Sequence, residues 1–162
     1  MKEYEKKRME EMEKLLEVIG YNKKIFNKFN PIHITGTKGK GSTCIFVENI
    51  IRQHGIKTGL FTSPHLIEPT ERIRINGKVI EEKKFIKYYW DVYNQLKKEK
   101  IIKHVQFFKF MTLMAVHSFY KENIECGIFE VGIGGRLDPT NIIPEPIVTG
   151  ITSIGQIGRA HV

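Results

Sequence analysis

The sequence has few cysteines and no long apolar run. Each of these features argues against a class of protein. Two cysteines in 162 residues, Cys44 and Cys126, argue against a disulfide framework and against a zinc site. Both lie among apolar residues, where a small buried thiol fits. No run is apolar enough to span a bilayer. The N-terminus carries charges of both signs, unlike a secretory signal or transit peptide, so we expect a cytoplasmic protein, with a mitochondrial form left open.

The chain also lacks a concentrated basic block, although it is positively charged overall. It has 26 Lys and Arg residues against 18 Asp and Glu, a formal net charge of +8. Such a charge suits nucleic acid, acidic membranes or small polyanionic substrates. The lysines alternate with glutamates along predicted helices, which is typical of a solvated surface. We expect no nucleic-acid or membrane partner; a basic nucleic-acid binder is an alternative that salt-dependent affinity would reveal.

A glycine-rich stretch, IHITGTKGKGS at residues 32–42, combines a strand, a tight loop and the start of a helix. Such a loop places backbone N–H groups, the helix dipole and a lysine around one anion. It departs from Walker A spacing because Gly41 occupies the place of the hydroxyl residue. A turn that merely ends a strand is the alternative, but two lysines in so short a loop repel each other without an anion. The stretch predicts a phosphate-binding loop formed by Gly36, Thr37, Gly39, Lys40, Gly41, Ser42 and Thr43.

Hydrophobic periodicity predicts an α/β fold with a doubly wound, mostly parallel sheet. Helices are predicted over residues 3–19, 42–54, 81–100 and 107–120. Strands are predicted over residues 32–35, 57–62, 126–131 and 147–151. A hairpin turning at Asn76-Gly77 is expected at the edge of the domain. The helix that follows the glycine loop is expected to bury Ile45, Phe46, Ile50 and Ile51.

Three segments are expected from this pattern. Residues 1–31 are expected to form an amphipathic helix and a lead-in, residues 32–155 a domain built around the P-loop-type glycine loop, and residues 156–162 a tail. A doubly wound sheet should continue through further strand–helix units after residue 151. We therefore expect the domain to be incomplete, as in an N-terminal fragment.

Glu130 and Ser63 are the candidate metal ligands. Glu130 ends a strand that is expected to be buried on both faces, and Ser63 follows the end of another strand. A carboxylate at this edge of a parallel sheet, beside a phosphate loop, suits Mg²⁺, which bridges phosphate oxygens and one or two protein oxygens. An ordinary surface acid is the alternative. Arg72 could clamp a carboxylate and Asp138 could accept hydrogen bonds from ring nitrogens, with structural ion pairs as equal alternatives.

Five motifs follow one another from the glycine loop onward. They are GTKGKGST, SPHL, ERIRING, FFKFMTLMA and EVGIGGRLDPTNI, at residues 36–43, 63–66, 71–77, 107–115 and 130–142. Together they resemble folylpolyglutamate synthase, the folate branch of the Mur ligase superfamily, which it shares with dihydrofolate synthase. The resemblance extends from about residue 10 to residue 155, and it implies a truncated Mur-ligase-like ATP-binding domain over residues 32–155 and an atypical tail over residues 156–162. After residue 155 the family continues with a Leu-Asp-His-Thr-like segment whose histidine is the third magnesium ligand. This sequence does not match that segment.

The resemblance implies ATP-dependent amide formation. The γ-carboxylate of a folate attacks the γ-phosphate of ATP, and the amine of L-glutamate then displaces phosphate from the acyl phosphate. ATP and Mg²⁺ are implied as cofactors, with a monovalent cation such as K⁺ as a further one, and the protein is expected to be a monomer. By motif match, Lys40 and Glu130 are catalytic, and Ser63 and Glu130 bind the metal. The implied folate contacts are Arg72, Phe108, Leu137 and Asp138.

Alternatives to this function remain at the level of sequence. The motifs mix features of two branches, so dihydrofolate synthase activity, alone or in a bifunctional enzyme, is one alternative. A nucleotide-binding module without chemistry is another. We expect the 162 residues alone to be inactive as a ligase.

Overall fold

The structure is a computed structural model that describes residues 2–155. In this range the helices α1 to α4 span Lys2–Val18, Lys40–Gln53, Glu82–Lys98 and Phe107–Lys121. The strands β1 to β6 span Ile32–Thr35, Thr58–Phe61, Ile73–Ile75, Lys78–Val79, Cys126–Glu130 and Val148–Ile151. Short 3₁₀ helices occupy Lys23–Lys28, Pro69–Arg72, Ile102–His104 and Pro139–Ile142. The tail predicted at residues 156–162 lies outside the described residues.

The six strands described form one sheet in the order β4-β3-β2-β5-β1-β6. Strand β5 pairs in parallel with β1 and β2, and β1 also pairs in parallel with β6. Strands β3 and β4 are antiparallel and form the predicted hairpin at one edge. The prediction of an α/β fold with a mostly parallel sheet is confirmed. Ile34 pairs with Glu130, so the end of β5 lies beside the strand that feeds the glycine loop.

The sheet is covered differently on its two faces. Side chains of consecutive strand residues point to opposite faces, so Leu60 and Phe61 contribute to two separate apolar clusters. One cluster, the aromatic face, contains Phe61 and residues of α1, α3 and α4. The other, the α2 face, contains Leu60 and Cys44 of α2. Helix α1 packs into the same core as α3 and α4. This packing does not test the domain boundary proposed at residue 31, which stays a prediction.

Phe119 of α4 lies over two glycines of the sheet. Gly59 of β2 and Gly127 of β5 are paired in register, and a Cβ atom on Gly59 would lie 2.7 Å from the Phe119 ring. At Gly127 the corresponding distance to the ring is 3.3 Å. The absence of side chains at both positions lets the ring pack directly on the strands. This contact fixes the height of α4 above the sheet.

The predicted burial on α2 is wrong for two of the four residues. Phe46 is 69% exposed and Ile50 is 60% exposed, whereas Ile45 and Ile51 pack against the α2 face. The fully buried positions of this helix are Cys44 and Glu48. The helix begins at Lys40, and residues 44, 48 and 51, spaced four and three apart, face the sheet. Phe46 and Ile50 therefore lie on the opposite side of the helix.

Two absences complete the description of residues 2–155. No helix in this range is long and apolar enough to cross a membrane. Cys44 and Cys126 are both buried free thiols, as predicted. Burial raises the pKa of Cys44 to about 12 and that of Cys126 to about 11. Both groups therefore stay protonated and unreactive at neutral pH.

Candidate functional site

The glycine loop connects β1 directly to the N-terminus of α2. Gly39 is the N-cap residue of α2 and adopts a left-handed conformation, with φ of +82°. This conformation is strained for residues with a Cβ atom, which explains a glycine there. Gly39 has no side chain to cap this end, so the first-turn N–H groups of α2 face the loop, and that of Gly41 is directed at the Glu130 carboxylate. The loop thus has the positive helix terminus that an anion site requires.

Residues 152–155 hold the loop in shape. The N–H of Thr37 donates to the carbonyl of Ser153 (2.8 Å), and the N–H of Thr152 donates to the carbonyl of Thr35 (2.8 Å). Gly36 packs so closely that a Cβ atom there would lie 2.0 Å from Thr152 Oγ1. The hydroxyl of Thr37 also accepts a hydrogen bond from the N–H of Gly155 (3.1 Å). The polar groups of Thr37 thus serve the loop itself, and its direct contact with a nucleotide stays a prediction.

Glu130 lies beside the loop and brings the predicted catalytic and metal-binding residues together. Its carboxylate is 4.0 Å from Lys40 Nζ and accepts a 2.9 Å hydrogen bond from the N–H of Ser63. A Cβ atom on Gly41 would lie 3.5 Å from Glu130 Oε2. Four predicted residues, from the first turn of α2, one loop and one strand, therefore meet at the carboxyl edge of the sheet.

The negative charge of the Glu130 carboxylate is energetically unfavourable at its buried position. The residue is only 4% exposed, and this burial raises the pKa of its carboxyl group. The Ser63 N–H and the charges of Lys40 and Arg72 act in the opposite direction without cancelling the effect. A buried carboxylate whose pKa stays raised gains from an additional cation. The electrostatics of Glu130 thus fit a metal ligand better than a surface acid.

These residues fit Mg²⁺ rather than a metal held mainly by protein. Residues 2–155 contain no group of three or more His, Cys, Asp or Glu side chains that could hold a metal ion. Mg²⁺ commonly takes only one or two protein oxygens and completes its shell with water and phosphate oxygens. Glu130 and Ser63 match that requirement in number and type.

Arg72 contacts the loop that contains Ser63 and lies close enough to Glu130 to feel its charge. Its Nε donates a 2.7 Å hydrogen bond to Nδ1 of His65, and its guanidinium carbon is 5.2 Å from the centre of the Phe107 ring. Burial lowers the pKa of Arg72, and the charge of Glu130 opposes that shift. A guanidinium held by a hydrogen bond and an aromatic ring is oriented in advance for bidentate binding of a carboxylate or phosphate.

A cavity of about 590 Å³ gathers three of the four predicted folate contacts. Phe108, Leu137 and Asp138 line it, whereas Arg72 is not among the lining residues. The Phe108 ring stacks on Phe61, with ring centres 5.7 Å apart and planes inclined by 26°. A Cβ atom on Gly132 would lie 2.8 Å from the same ring. The Phe108 ring therefore gives the cavity an aromatic wall, and the close packing of Phe61 and Gly132 holds this ring in place.

Asp138 organises the loop that forms another part of the lining. Its Oδ2 accepts hydrogen bonds from the N–H groups of Gly132 (3.0 Å) and Ile133 (3.1 Å). Its Oδ1 accepts from the N–H (2.9 Å) and the hydroxyl (2.6 Å) of Thr140, and so caps the 3₁₀ helix Pro139–Ile142. Both oxygens already have partners within the loop. Its predicted role as an acceptor for a bound ring stays a prediction.

Sequence reasoning missed two polar residues of this cavity. Arg8 of α1 and Gln106, the N-cap residue of α4, both line it. Their positions relative to the loop after β5 depend on how two distant helices pack together. No local pattern around either residue indicates that contact.

The chain resembles characterised proteins over most of its length, although no family model matches it. Mitochondrial folylpolyglutamate synthase of Cricetulus griseus is 50% identical over 151 residues, which is 91% of this chain and 26% of the relative. The human mitochondrial enzyme is 47% identical over 150 residues, with the same coverage. Folylpolyglutamate synthase of Mycobacterium tuberculosis complexed with ADP superposes with a TM-score of 0.79 at 31% identity. That match covers 93% of this chain and 33% of the solved one.

A bifunctional folylpolyglutamate synthase/dihydrofolate synthase from Yersinia pestis gives a TM-score of 0.77 at 33% identity, covering 93% of this chain and 34% of that chain. The fold and these matches define an α/β domain of the Mur ligase type. Within that class, the chain is a homologue of the folylpolyglutamate synthases. It spans about a quarter of the length of these curated relatives.

Proposed function

We propose that this chain is the ATP-binding part of a folylpolyglutamate synthase, which ligates L-glutamate to the γ-carboxylate of a reduced folate through an acyl phosphate. The observation that carries the proposal is the meeting of Lys40, Ser63 and Glu130 at the N-terminus of α2. Two solved relatives support it: one from M. tuberculosis is complexed with ADP, and one from Y. pestis with AMPPNP and Mn ion. Mg²⁺ and a monovalent cation such as K⁺ stay parts of the proposal.

Each residue has a role that follows from its position. The N–H groups at the start of α2 and the ammonium of Lys40 hold the phosphates by charge-assisted hydrogen bonds. Glu130 and Ser63 supply the protein oxygens for the cation. A bound Mg²⁺ would neutralise charge that develops on the transferring phosphoryl group. Arg72, held beside Glu130, is placed to orient the attacking carboxylate.

The folate is proposed to occupy the cavity beside Phe108. Its volume of about 590 Å³ falls in the range of small-molecule sites, roughly 300–1,000 Å³. The fixed ring of Phe108 offers a flat surface for a planar heterocycle. The cavity is bounded by the loop that follows Glu130, and Thr35 of β1 donates a hydrogen bond from its hydroxyl to the carbonyl of Gly134 in that loop. The two sites are therefore neighbours, as transfer between two substrates requires.

The nucleotide assignment can be tested by calorimetry with ATP and Mg²⁺. Lys40→Met removes the ammonium beside Glu130, and Lys38→Met is the matched control, because Lys38 is an exposed lysine of the same loop. We expect at least a tenfold loss of affinity, about 1.4 kcal/mol, for Lys40→Met. The control should change affinity less than about threefold, since exposed charges contribute little. Unchanged binding by folded Lys40→Met would contradict the loop assignment.

The metal assignment has a separate test. Glu130→Gln keeps the size of the side chain and removes its charge, and Glu145→Gln makes the same change at an exposed position. We expect Mg²⁺ to strengthen ATP binding to the wild type and the control but not to Glu130→Gln. Equal dependence on Mg²⁺ in all three proteins would remove Glu130 from the site.

Ligase activity is proposed for the longer protein and not for this chain alone. The chain spans about a quarter of its relatives, and we expect no phosphate release above background with ATP, a reduced folate and glutamate. Turnover by the 162 residues would refute this part of the proposal. The monomeric state and the cytoplasmic location, with a mitochondrial form, stay predictions; the mammalian relatives are named as mitochondrial.

Dihydrofolate synthase activity is the second candidate. The observation that favours it is the likeness to the bifunctional enzyme of Y. pestis. Competition between dihydropteroate and a folate monoglutamate for the Phe108 cavity would separate the two. Displacement of bound folate by dihydropteroate supports a shared site, and its failure favours the elongating enzyme alone.

A further inference from the structure

Arg72 is a buried cation whose hydrogen-bond donors are only partly used. It is 8% exposed, and its Nε donates a 2.7 Å hydrogen bond to Nδ1 of His65. Within residues 2–155 its two terminal nitrogens, Nη1 and Nη2, donate no hydrogen bond, and Arg72 forms no ion pair. Arginine is almost never buried so deeply without a partner for its charge. The terminal N–H groups therefore lack a partner that a ligand could supply.

His65 decides which edge of the Arg72 guanidinium stays free. A guanidinium can bind a carboxylate side-on, through Nε and one terminal nitrogen, or end-on, through both terminal nitrogens. Because Nε already donates to His65, the end-on edge is the one that is left. The Nδ1 atom of His65 accepts this bond, so the neutral ring carries its proton on Nε2. The hydrogen bond thus sets the direction in which the free end of Arg72 points.

Two further contacts hold His65 and Arg72 in this arrangement. The centre of the Phe107 ring is 5.2 Å from the guanidinium carbon of Arg72 and 6.3 Å from the centre of the His65 ring. The backbone after His65 is fixed by Glu71, whose carboxylate accepts hydrogen bonds from the N–H groups of residues 66–68. These bonds lower the pKa of Glu71, so the carboxylate stays ionised at neutral pH and keeps them.

Arg72 lies beside the candidate metal ligands. Its carbonyl accepts a 3.0 Å hydrogen bond from the N–H of Thr62, the residue that precedes Ser63. The charges of Arg72 and Glu130 also act on each other's pKa. A group bound by the terminal nitrogens of Arg72 is therefore held near the edge of the sheet that carries the candidate phosphate site.

We propose that His65 is a positioning residue, which holds Arg72 through the Nε hydrogen bond as an end-on fork for one carboxylate group. The fork depends on the geometry of His65, Arg72 and Phe107 alone. That its carboxylate is the γ-carboxylate of a folate rests on the proposed function. Without the acceptor at His65 the guanidinium can rotate, and its free end no longer points in a single direction.

The fork can be tested by NMR on the chain with ¹⁵N-labelled arginine and with acetate as the probe. The Nε–H signal of Arg72 is assigned with Arg72→Lys, which lacks it. We expect acetate to shift this signal in a saturable manner, and its affinity to fall at least about fivefold in His65→Leu. In His65→Asn the side-chain oxygen replaces Nδ1 as the acceptor, so the affinity should stay within about twofold of the wild type. No saturable shift in the wild type, or wild-type affinity in His65→Leu, would overturn the proposal.

His54→Leu is the matched control. His54 is an exposed histidine that follows the last residue of α2, and its replacement should leave the affinity for acetate unchanged. An equal loss of affinity in His54→Leu and His65→Leu would show that the loss has another cause, and so would overturn the role of His65. Thermal unfolding of each variant establishes that it is folded.

The source of the carboxylate can be identified with two folates. Calorimetry compares 5-formyltetrahydrofolate with its γ-methyl ester, which lacks the charge of the γ-carboxylate. We expect the wild type to bind the ester at least about fivefold more weakly, and His65→Leu to bind the two compounds equally. Equal affinities in the wild type would exclude the γ-carboxylate as the group that the fork binds.

The outcomes separate this proposal from the proposed function. Saturable binding of acetate without any binding of 5-formyltetrahydrofolate would count against the proposed function and still support the fork. His65→Leu should bind ATP and Mg²⁺ as the wild type does. Equal losses of affinity for ATP and for acetate would assign the fork to a phosphate group and overturn its assignment to a carboxylate.

Discussion

The two faces of the sheet are built from the same strands but are packed in different ways. The aromatic face buries rings from α3, α4 and the 3₁₀ helix Lys23–Lys28, together with Phe129 and Phe61 of the strands. The α2 face is a small cluster of aliphatic residues and thiols around Ile128, and its helix also buries a carboxylate, Glu48. Stability should therefore depend mainly on the aromatic face. The α2 face instead carries the helix whose N-terminus forms the candidate phosphate site.

The difference is also one of chemistry. On the α2 face, Glu48 accepts hydrogen bonds from the Thr58 hydroxyl (3.2 Å) and the Gly77 N–H (2.9 Å), which tie α2 to β2 and to the turn of the hairpin. On the aromatic face, contacts between rings predominate, as between Phe119 and Phe129, whose centres are 5.2 Å apart. Contacts between rings are therefore the main feature of the aromatic face, and hydrogen bonds to a buried carboxylate are a feature of the α2 face.

The largest effect should follow from removing a ring on the aromatic face. We expect Phe119→Ala to lower the free energy of unfolding by about 3–5 kcal/mol, because the ring fills the space above two paired glycines. Urea denaturation measures the change. Phe119→Leu, which keeps much of the volume, should cost less. A loss below about 1 kcal/mol for the alanine variant would mean that the aromatic face does not dominate stability.

A smaller loss is expected on the α2 face from Glu48→Gln. The substitution keeps the shape but weakens two hydrogen bonds to a buried carboxylate, for which about 1–2 kcal/mol is expected. Glu99→Gln, the same change at an exposed position at the end of α3, is the control and should be neutral. Equal stability of the two variants in urea would show that the α2 face does not depend on this carboxylate.

Lowering the pH should decrease the free energy of unfolding through His117, which packs on the aromatic face. Burial lowers the pKa of His117 from 6.5, against the opposing effect of Asp91. The unfolded chain then binds a proton more readily than the folded chain below about pH 6.5, so stability should fall as pH decreases through that window. His117→Gln should flatten this part of the pH profile of unfolding. A profile that is as steep in the variant as in the wild type would exclude His117 as a contributor.

The smallest effect is expected at the outer side of α2. Phe46→Ser replaces a ring that is 69% exposed, and the free energy of unfolding should change by less than about 0.5 kcal/mol. Cys44→Ser, two residues away on the buried side, should be clearly destabilising because it places a hydroxyl in an apolar cluster. A large loss for Phe46→Ser would show that this side of the helix is also packed.

Much of the fold follows from local patterns in the sequence. The strand before the glycine loop, the Asn76-Gly77 hairpin and the buried strand ending at Glu130 all have short-range signals, and the structure contains each of them. The face of α2 could not be predicted in the same way. Both Cys44 with Glu48 and Phe46 with Ile50 have helical spacing, and an acid is rarely a fully buried residue. Only the position of Thr58 and Gly77, which satisfy Glu48, decides between them.

In the candidate site, too, some contacts could be predicted from the sequence and others could not. The approach of Glu130 to Lys40 follows from the topology of a parallel sheet and was predicted. Asp138 also had a local signal, since Asp-Pro-Thr is a typical start of a short helix, with the aspartate as its cap. The meeting of Arg8 with Gln106 at the larger cavity had none. It joins residues about 100 positions apart through the packing of α1 against α4, and such long-range contacts leave no periodic trace.

The four hydrogen bonds of Asp138 have a consequence for the speed and strength of ligand capture. A glycine-rich loop such as residues 132–138 would ordinarily lose conformational entropy when a molecule settles against it. Here Asp138 has already restricted the loop during folding. A ligand of the neighbouring cavity meets a wall that needs no rearrangement, so little of its binding energy is spent on ordering the protein. Loosening this aspartate should therefore slow association as well as weaken it.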